Sequence, residues 1–441
     1  MLKPFDSAQS REDRSTGAAH SKVKRHVAPF LVLLYLVAFL DRVNVSFASL
    51  TMNRDLHISE SLFGVGAGIF FLGYLLFAVP SNLMLVRWGA PRWIGTIMIL
   101  WGTLSASMAL VHASWVYLLL RFLLGAAEAG FFPGIILYLT QWLPSTARAS
   151  LMAMFVISIP LASVIGAPLS IWILSLDGQA GLRGWQWLFL LEGLPAILLG
   201  TIVPFKLARS PGEVSWLSGA EKKMLTAAIE SENRKLRGEA PMFSWWHILR
   251  RDRSIRWNAV SYLCLMIGLY ALGFWVPRIL SSRGVPPHQL GWFTAVPFAF
   301  GAAGMLVATR YFDRSHERRW HLCASFLCAG IGIAMAAFIS HWEASLAGLA
   351  LAALGVFSAI PIFWTIVTRD LDSHISPFAI ALINSVGNIG GFVSPFIIGV
   401  LLQHTKSYTY GLLFTSISLL LGAAIVARMK NDFSPELRLV E

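Results

Sequence analysis

The sequence predicts an all-α integral membrane protein in which twelve transmembrane helices form two six-helix bundles. The first observation is composition: of 441 residues, 56% are hydrophobic and only 13% are charged. Soluble domains carry roughly a quarter charged residues, so this surface could not keep so much apolar mass in water. The composition excludes an ordinary soluble enzyme, a disordered chain and a secreted disulfide scaffold.

The second observation is the number and length of the apolar segments. Each is long enough to cross a hydrocarbon layer of about 30 Å as a helix. The segments are continuously apolar, whereas the strands of a membrane β-barrel would alternate, so helices are predicted. The twelve segments are 27–50, 62–86, 93–111, 115–142, 150–175, 184–206, 257–279, 289–309, 320–340, 344–367, 378–403 and 408–428.

The third observation is where the positive charge lies. The chain carries 35 Lys and Arg against 23 Asp and Glu, a net charge of +12. Most of these cations fall in alternate loops and in the termini, which predicts that both termini are cytoplasmic. The basic balance therefore reflects topology and does not indicate nucleic-acid binding. The loops on the other side hold only Arg54, Arg183, Arg278, Arg283 and Lys406.

The chain divides into two halves that resemble each other. We expect a cytoplasmic tail over 1–26, a first bundle over 27–206, a cytoplasmic loop over 207–256, a second bundle over 257–428 and a tail over 429–441. The basic turns after the second and eighth spans align with each other, which indicates two repeated six-helix units. Such repeats place a binding site between the two bundles, near the bilayer midplane. The aligned pairs are Arg87 with Arg314, Arg92 with Arg319, and Trp93 with Trp320.

The central loop shows two local patterns. Ser218 and Glu221 are spaced as a capping box that opens a short amphipathic helix. The segment from Trp245 to Arg253 combines tryptophan with arginine, which is typical of a chain lying at the headgroup level.

Five ionisable residues lie inside the predicted spans: Asp41, Arg42, Arg121, Glu128 and Glu192. A charge near the bilayer centre costs about 3 kcal/mol, so these groups must face a polar cavity or pair with one another. One interpretation is an architectural cluster of ion pairs. The other is a proton and anion site, because a neighbouring arginine changes how readily a buried carboxyl holds a proton. Glu192 lies only about eight residues into its span, which favours a structural role as the partner of another charged group.

Several deep polar and aromatic residues are candidates for lining a cavity. Asn384 and Asn388 share one helical face, and the aromatic candidates suit either helix packing or contact with an organic ligand. No spacing of His, Cys, Asp or Glu indicates a metal site, and no catalytic constellation stands out, so we expect neither cofactor nor enzymatic activity. The aromatic candidates are Tyr74, Tyr270, Trp275 and Trp364.

Four motifs resemble the anion:cation symporter family of the major facilitator superfamily, and within it bacterial permeases for tartrate, phthalate, 4-hydroxyphenylacetate and similar carboxylates. The resemblance covers residues from about 25 to 430. It implies the major facilitator fold. The motifs are Phe39-Leu-Asp-Arg-Val-Asn-Val-Ser-Phe-Ala48, Val79-Pro-Ser-Asn-Leu83, Arg121-Phe-Leu-Leu-Gly-Ala-Ala-Glu-Ala-Gly-Phe-Phe-Pro-Gly134 and Gly184-Trp-Gln-Trp-Leu-Phe-Leu-Leu-Glu-Gly-Leu-Pro195.

The resemblance also implies roles for matching residues. In the family, the arginine at Arg42 is linked to binding of the substrate carboxylate, and the acids at Asp41 and Glu128 are linked to proton coupling. The arginine at Arg121 balances their charge. The positions of Tyr74, Asn388 and Trp364 line the site in relatives, and Tyr270 and Asn384 join them here as candidates.

One position departs from the family pattern. The superfamily loop after the second helix carries Gly-x-x-x-Asp-Arg, but Val86 occupies the aspartate position here, whereas the second half keeps Asp313 and Arg314. The first loop therefore lacks one charge for the contacts that close the inner side.

These observations predict a secondary active transporter in the bacterial inner membrane. It would import a small organic anion, such as an aromatic acid or a tartrate-like sugar acid, together with protons by alternating access. An anion exchanger without proton coupling and a non-transporting receptor are the alternatives. The expected partners are the anion, protons and lipid, and no nucleic acid or obligate protein partner is expected.

Overall fold

Every regular element in the part of the chain that the structure describes is helical. The computed structural model describes residues 5–237, 253–311, 317–370 and 376–429. Their α-helices are α1 (Phe5–Asp55), α2 (Glu60–Trp88), α3 (Ala90–Ser107), α4 (Ser114–Glu128), α5 (Phe131–Thr140), α6 (Ser145–Val156), α7 (Ser158–Leu174), α8 (Gly184–Lys206), α9 (Gly219–Arg237), α10 (Arg253–Ser282), α11 (Pro287–Tyr311), α12 (Arg318–Phe338), α13 (Trp342–Asp370), α14 (Ser376–Thr405) and α15 (Tyr408–Arg428). Short 3₁₀ turns occupy Met108–Leu110, Gln179–Gly181 and Pro211–Glu213.

Eleven helical segments of this part are long and apolar enough to cross a membrane, which confirms the predicted all-α membrane fold. The predicted span over 150–175 is wrong in one respect, because it is not a single helix. It is divided at Ile157 into α6 and the shorter apolar helix α7. Pro160 has no N–H to bond the carbonyl group of Val156, and this explains why the helix breaks there.

The fourth span is also interrupted, and the interruption lies beside a candidate site residue. α4 ends at Glu128, and α5 starts at Phe131 after the turn through Gly130. Pro133 lacks the N–H that would bond the carbonyl group of Ala129. The break therefore places the Glu128 carboxyl at a helix end, inside one span that runs over Ser114–Thr140.

The helix pairs of the first half recur in the second half. α3 packs on α8 as α12 packs on α15, α2 packs on α4 as α11 packs on α13, and α1 packs on α7 as α10 packs on α14. This correspondence supports two duplicated six-helix units. The predicted boundaries of the two bundles stay a prediction.

Among the described residues, the main contacts between the two halves are those of α2 with α14, α7 with α11 and α1 with α10. Glycines allow the close approach of α2 to α14. A Cβ at Gly64 would overlap the backbone oxygen of Pro395, and a Cβ at Gly399 would lie 2.6 Å from the backbone oxygen of Glu60. Small residues of this kind let helix backbones pack tightly inside a membrane.

An ion pair ties the two halves together at one end of the bundle. Arg278 of α10 donates to Glu60 at the start of α2, at 2.7 Å, and its guanidinium lies 4.8 Å from the ring of Phe63 and 5.2 Å from the ring of Trp275. Gln403 of α14 accepts from the backbone N–H of Glu60 at 3.1 Å. We call this the closed end. The Arg278–Glu60 pair was not predicted.

The opposite end carries α9, which is held against the first half. The Ser218 and Glu221 capping box is confirmed: the backbone N–H of Ser218 donates to Glu221 at 2.8 Å, and that of Glu221 donates to the Ser218 hydroxyl at 3.3 Å. Lys22 of α1 pairs with Glu221 at 2.8 Å, and this contact lowers the pKa of Glu221. His26 stacks on Trp216 at 4.4 Å.

Two predicted features lie mainly outside the described residues. The surface segment from Trp245 to Arg253 falls there except for its last residue, and so does the second-half loop pair Asp313 and Arg314. In the first half, Val86 is exposed at the end of α2.

Replacement of Gly125 by alanine is expected to lower stability by about 1–3 kcal/mol. A Cβ at Gly125 of α4 would overlap the backbone oxygen of Phe70 in α2, and a backbone atom cannot move aside as a side chain can. Thermal unfolding of the detergent-solubilised protein measures the change. Gly273→Ala is the matched control, because its Cβ would meet only Val43, at an ordinary 3.8 Å. An unfolding temperature equal for both variants would contradict this account of helix packing.

Candidate functional site

The centre of the molecule contains a buried ion pair. Arg42 of α1 donates to one carboxyl oxygen of Glu128 through Nη2 at 2.5 Å and through Nε at 3.2 Å. The Glu128 side chain is 1% exposed and that of Arg42 is 14% exposed. The second oxygen of Glu128 is buried and accepts no hydrogen bond from the residues that the structure describes. Arg42 therefore reaches the space between the two halves of the molecule, whereas Glu128 lies behind the guanidinium, away from that space.

Aromatic rings surround the Arg42 guanidinium. Its central carbon lies 5.4 Å from the ring of Phe39, 5.2 Å from that of Phe70 and 5.6 Å from that of Tyr74. Tyr270, from the second half, also interacts with Arg42 through its hydroxyl. We call these four rings the aromatic box. The rings attract the cation and hold the guanidinium in place, and Tyr270 brings the second half to it.

Two further tyrosines belong to the site and were missed by the sequence reasoning. Tyr35 interacts electrostatically with Arg42, Tyr74, Tyr270 and Tyr262, so its hydroxyl faces the same region. Its ring stacks on Phe155 at 4.0 Å. The signal for Tyr35 was present, because Tyr35, Phe39 and Arg42 lie at i, i+4 and i+7 on one helical face.

The candidates of the second half gather around Tyr262. Trp364 lies edge-on to the Tyr262 ring at 5.0 Å. Asn384 and Asn388 are half-buried and flank Gly387, where a Cβ would overlap the Tyr262 ring. Tyr262 interacts electrostatically with Tyr74 and Tyr270, which joins this group to the aromatic box.

Asp41 is placed differently from its neighbour in sequence. It is fully buried inside the first half, where Ser105 of α3 donates to it, and Asn44 donates to it at 3.1 Å. Consecutive residues of an α-helix point about 100° apart. Arg42 therefore faces the space between the halves, while Asp41 faces the interior of the first half.

Arg121 is also fully buried and stands apart from the Arg42–Glu128 pair. Its Nε donates to the backbone oxygen of Gly66 at 3.1 Å, and its guanidinium lies 5.1 Å from the Phe70 ring. It interacts with Asp41 and Glu128 through longer-range electrostatics. Phe70 thus separates the two arginines, and only Arg42 reaches the space between the halves.

A small cavity adjoins Arg42 between the halves. Ser163 of α7 and Tyr270 supply the hydroxyl groups of a wall that is otherwise apolar apart from Arg42 itself. The remaining lining residues are Phe39, Val43, Leu269, Gly273, Phe274, Phe298 and Phe357. In the described part of the chain, no group of three His, Cys, Asp or Glu residues is arranged to hold a metal ion.

A helical bundle of two repeated halves, with a paired charge buried between them, has the architecture of a membrane carrier. The chain belongs to the Major Facilitator Superfamily, whose family model matches residues 31–395.

Relatives and solved structures agree with this assignment. A putative tartrate transporter of Agrobacterium vitis is 43% identical over 417 residues, covering 94% of this chain and 95% of the relative. A quinolone resistance transporter of Acinetobacter baumannii is 43% identical over 402 residues, covering 89% and 91%. The fold is similar to the crystal structure of a bacterial homologue of the human lysosomal transporter Spinster, with a TM-score of 0.75, 17% identity and coverage of 92% and 96%.

Proposed function

We propose that the chain is a secondary active transporter that imports a small organic anion together with protons. The observation that carries the proposal is the Arg42–Glu128 ion pair, whose arginine reaches the space between the halves and lies inside the aromatic box. Guanidinium groups bind carboxylates well because their N–H donors match both oxygens. The name of the Agrobacterium relative supports a carboxylate as the substrate.

The coupling follows from one exchange of partners. A substrate carboxylate that binds Arg42 displaces Glu128, and the freed Glu128 carboxylate is then left in a dry site without its cation. An unpaired buried charge costs several kcal/mol, so Glu128 takes up a proton. One anion and one proton enter together, and the site keeps its net charge. Loss of the proton returns Glu128 to Arg42 and expels the anion.

Alternating access would move the two halves about this site. The closed end would face the outside in this conformation, and the end that carries α9 would face the cytoplasm. This orientation agrees with the positive charge of the loops. Both termini would then be cytoplasmic, in a bacterial inner membrane.

Uptake into proteoliposomes tests the proposal. Radiolabelled tartrate and benzoate are the probes, and an inside-alkaline pH gradient is imposed. Accumulation above the external concentration that ends when the gradient is collapsed is the expected result. Uptake that equilibrates regardless of the gradient indicates the uncoupled exchanger instead, and absence of flux with retained binding indicates the receptor.

A second candidate is export of quinolones, which the name of the Acinetobacter relative favours. The rings around Arg42 suit a flat aromatic molecule. The susceptibility of cells to quinolones, with and without expression of the chain, tests this candidate. Unchanged susceptibility at equal expression rejects it.

The Arg278–Glu60 pair is expected to keep the closed end shut. Because a hydrogen bond between charged groups contributes about 1.5–3 kcal/mol, Glu60→Gln should raise the population open at this end about tenfold or more. Spin labels at positions 112 and 288, both exposed at this end and in different halves, measure the distance between the halves in a cysteine-free background.

Two controls accompany this measurement. Glu343→Gln removes an exposed acid at the same end and should leave the distances unchanged. The exchange of charges in Glu60→Arg with Arg278→Glu should restore them. Identical distance distributions in the wild type and Glu60→Gln would show that this ion pair does not hold the halves together.

A further inference from the structure

A second polar cluster lies inside the first half, away from Arg42. Four helices supply it: Asp41 and Asn44 from α1, Ser105 from α3, Ser170 from α7 and Glu192 from α8. All five side chains are at most 5% exposed. The proposed exchange at Arg42 does not use Glu192, and a buried carboxyl inside a membrane span needs a physical explanation.

Each of the two acids of the cluster accepts a hydrogen bond from a neighbouring side chain. Ser170 donates to Oε1 of Glu192 at 2.8 Å, and Asn44 donates to Oδ1 of Asp41 at 3.1 Å. The Asn44 side chain also interacts with Glu192. One oxygen of each acid, Oδ2 of Asp41 and Oε2 of Glu192, is buried and has no hydrogen-bond partner in the described part of the chain. Each acid therefore keeps one oxygen available for a proton.

The charges around the cluster do not balance if both acids are ionised. Asp41 is the ionisable group that faces Glu192 from α1, while α3 and α7 present the hydroxyls of Ser105 and Ser170. Asp41 itself is faced by Arg121 and Glu128 of α4. Arg121 is the cation that acts on Asp41, through longer-range electrostatics, and Arg42 is already paired with Glu128. Two carboxylates that share one cation in a dry interior are strongly unfavourable, because burial penalises the charge that is left unpaired.

We infer that Glu192 is a second proton-binding residue of the transporter, which holds a proton while Asp41 is charged. The inference rests on the proposed proton coupling and deepens it. The family resemblance links Asp41 to proton coupling. When Asp41 takes a proton during the transport cycle, Glu192 supplies it from within the cluster, and the Asp41–Glu192 pair holds one proton throughout. Glu192 acts through Asp41 and does not touch the substrate. It is therefore a positioning residue, which holds the proton close to Asp41.

Infrared spectroscopy of the purified protein at neutral pH tests where the proton resides. The difference spectrum of wild type minus Glu192→Gln is expected to contain the C=O stretch of a protonated carboxyl, sensitive to deuteration. Asp41→Asn is expected to retain that band. A difference spectrum that contains carboxylate bands instead would show that Glu192 is charged and would overturn the inference.

A second variant guards against an effect of misfolding. Ser170→Ala removes the donor to Oε1 of Glu192 while keeping both acids. In an otherwise wild-type protein it should therefore shift the frequency of the C=O band. It should have no such effect in the Glu192→Gln background. A band that does not respond to Ser170→Ala belongs to another carboxyl and contradicts the assignment to Glu192.

Uptake against pH separates a proton role from a structural one. In Glu192→Gln, uptake at neutral pH should fall about tenfold, which corresponds to one pH unit in proton binding, and should recover at acidic pH, where bulk protons supply Asp41. Uptake lowered equally at all pH values would mean a structural role and would refute the inference. If wild-type uptake does not depend on the pH gradient, the proposed function is wrong. The infrared measurement tests the location of the proton independently of that result.

Discussion

Glu128→Gln is expected to abolish gradient-driven uptake of the anion while preserving exchange of anion across the membrane. The carboxamide keeps the shape of the side chain and still accepts a hydrogen bond from Arg42. It cannot take up a proton, so the return of the empty carrier is no longer tied to the pH gradient. Counterflow measures the preserved exchange and net uptake measures the lost accumulation, and both are recorded in the same proteoliposomes.

The controls for Glu128→Gln come from the chain itself. Glu343→Gln replaces an exposed acid and should leave both activities intact. Loss of counterflow together with net uptake would mean that Glu128 serves mainly to orient Arg42. Retention of full net uptake would remove Glu128 from the coupling reaction.

Arg42→Lys is expected to weaken binding of the anion by about 10- to 100-fold, although the positive charge is kept. The guanidinium meets Glu128 through two of its nitrogens and is flanked by three rings. An ammonium group is a point charge that cannot reproduce this fork or lie flat against the rings. The shift in thermal unfolding temperature with increasing tartrate or benzoate measures the affinity.

Arg54→Lys is the matched control for Arg42→Lys. Arg54 lies in the last turn of the same helix, and it is exposed. Its replacement should leave the affinity unchanged. Equal affinity of the wild type and Arg42→Lys would show that the anion binds elsewhere.

The sequence predicts the fold well because a membrane leaves few choices. Backbone groups in lipid must be bonded within the segment, so length and apolarity decide that a helix forms. The break in the fifth span could not be predicted in the same way. Pro160 interrupts its helix, whereas Pro80 and Pro195 lie inside unbroken helices, because the outcome depends on packing by neighbouring helices.

The candidate site is only partly predictable for a geometric reason. The cost of buried charge singles out Arg42 and Glu128, and the structure brings them together. The same argument places Asp41 beside them, but the helical rotation between adjacent residues turns it into the first half. The Arg278–Glu60 pair joins residues 218 positions apart, and no local pattern indicates such a contact.

The central claim is that the anion and Glu128 compete for Arg42, so that binding of the anion is accompanied by uptake of a proton. Calorimetric titration of the purified protein with the probe anion, in buffers of different ionisation enthalpy, counts the protons directly. We expect about one proton taken up per anion bound to the wild type at neutral pH, and about none with Glu128→Gln. Binding without proton uptake by the wild type, or equal uptake by both proteins, would contradict the account.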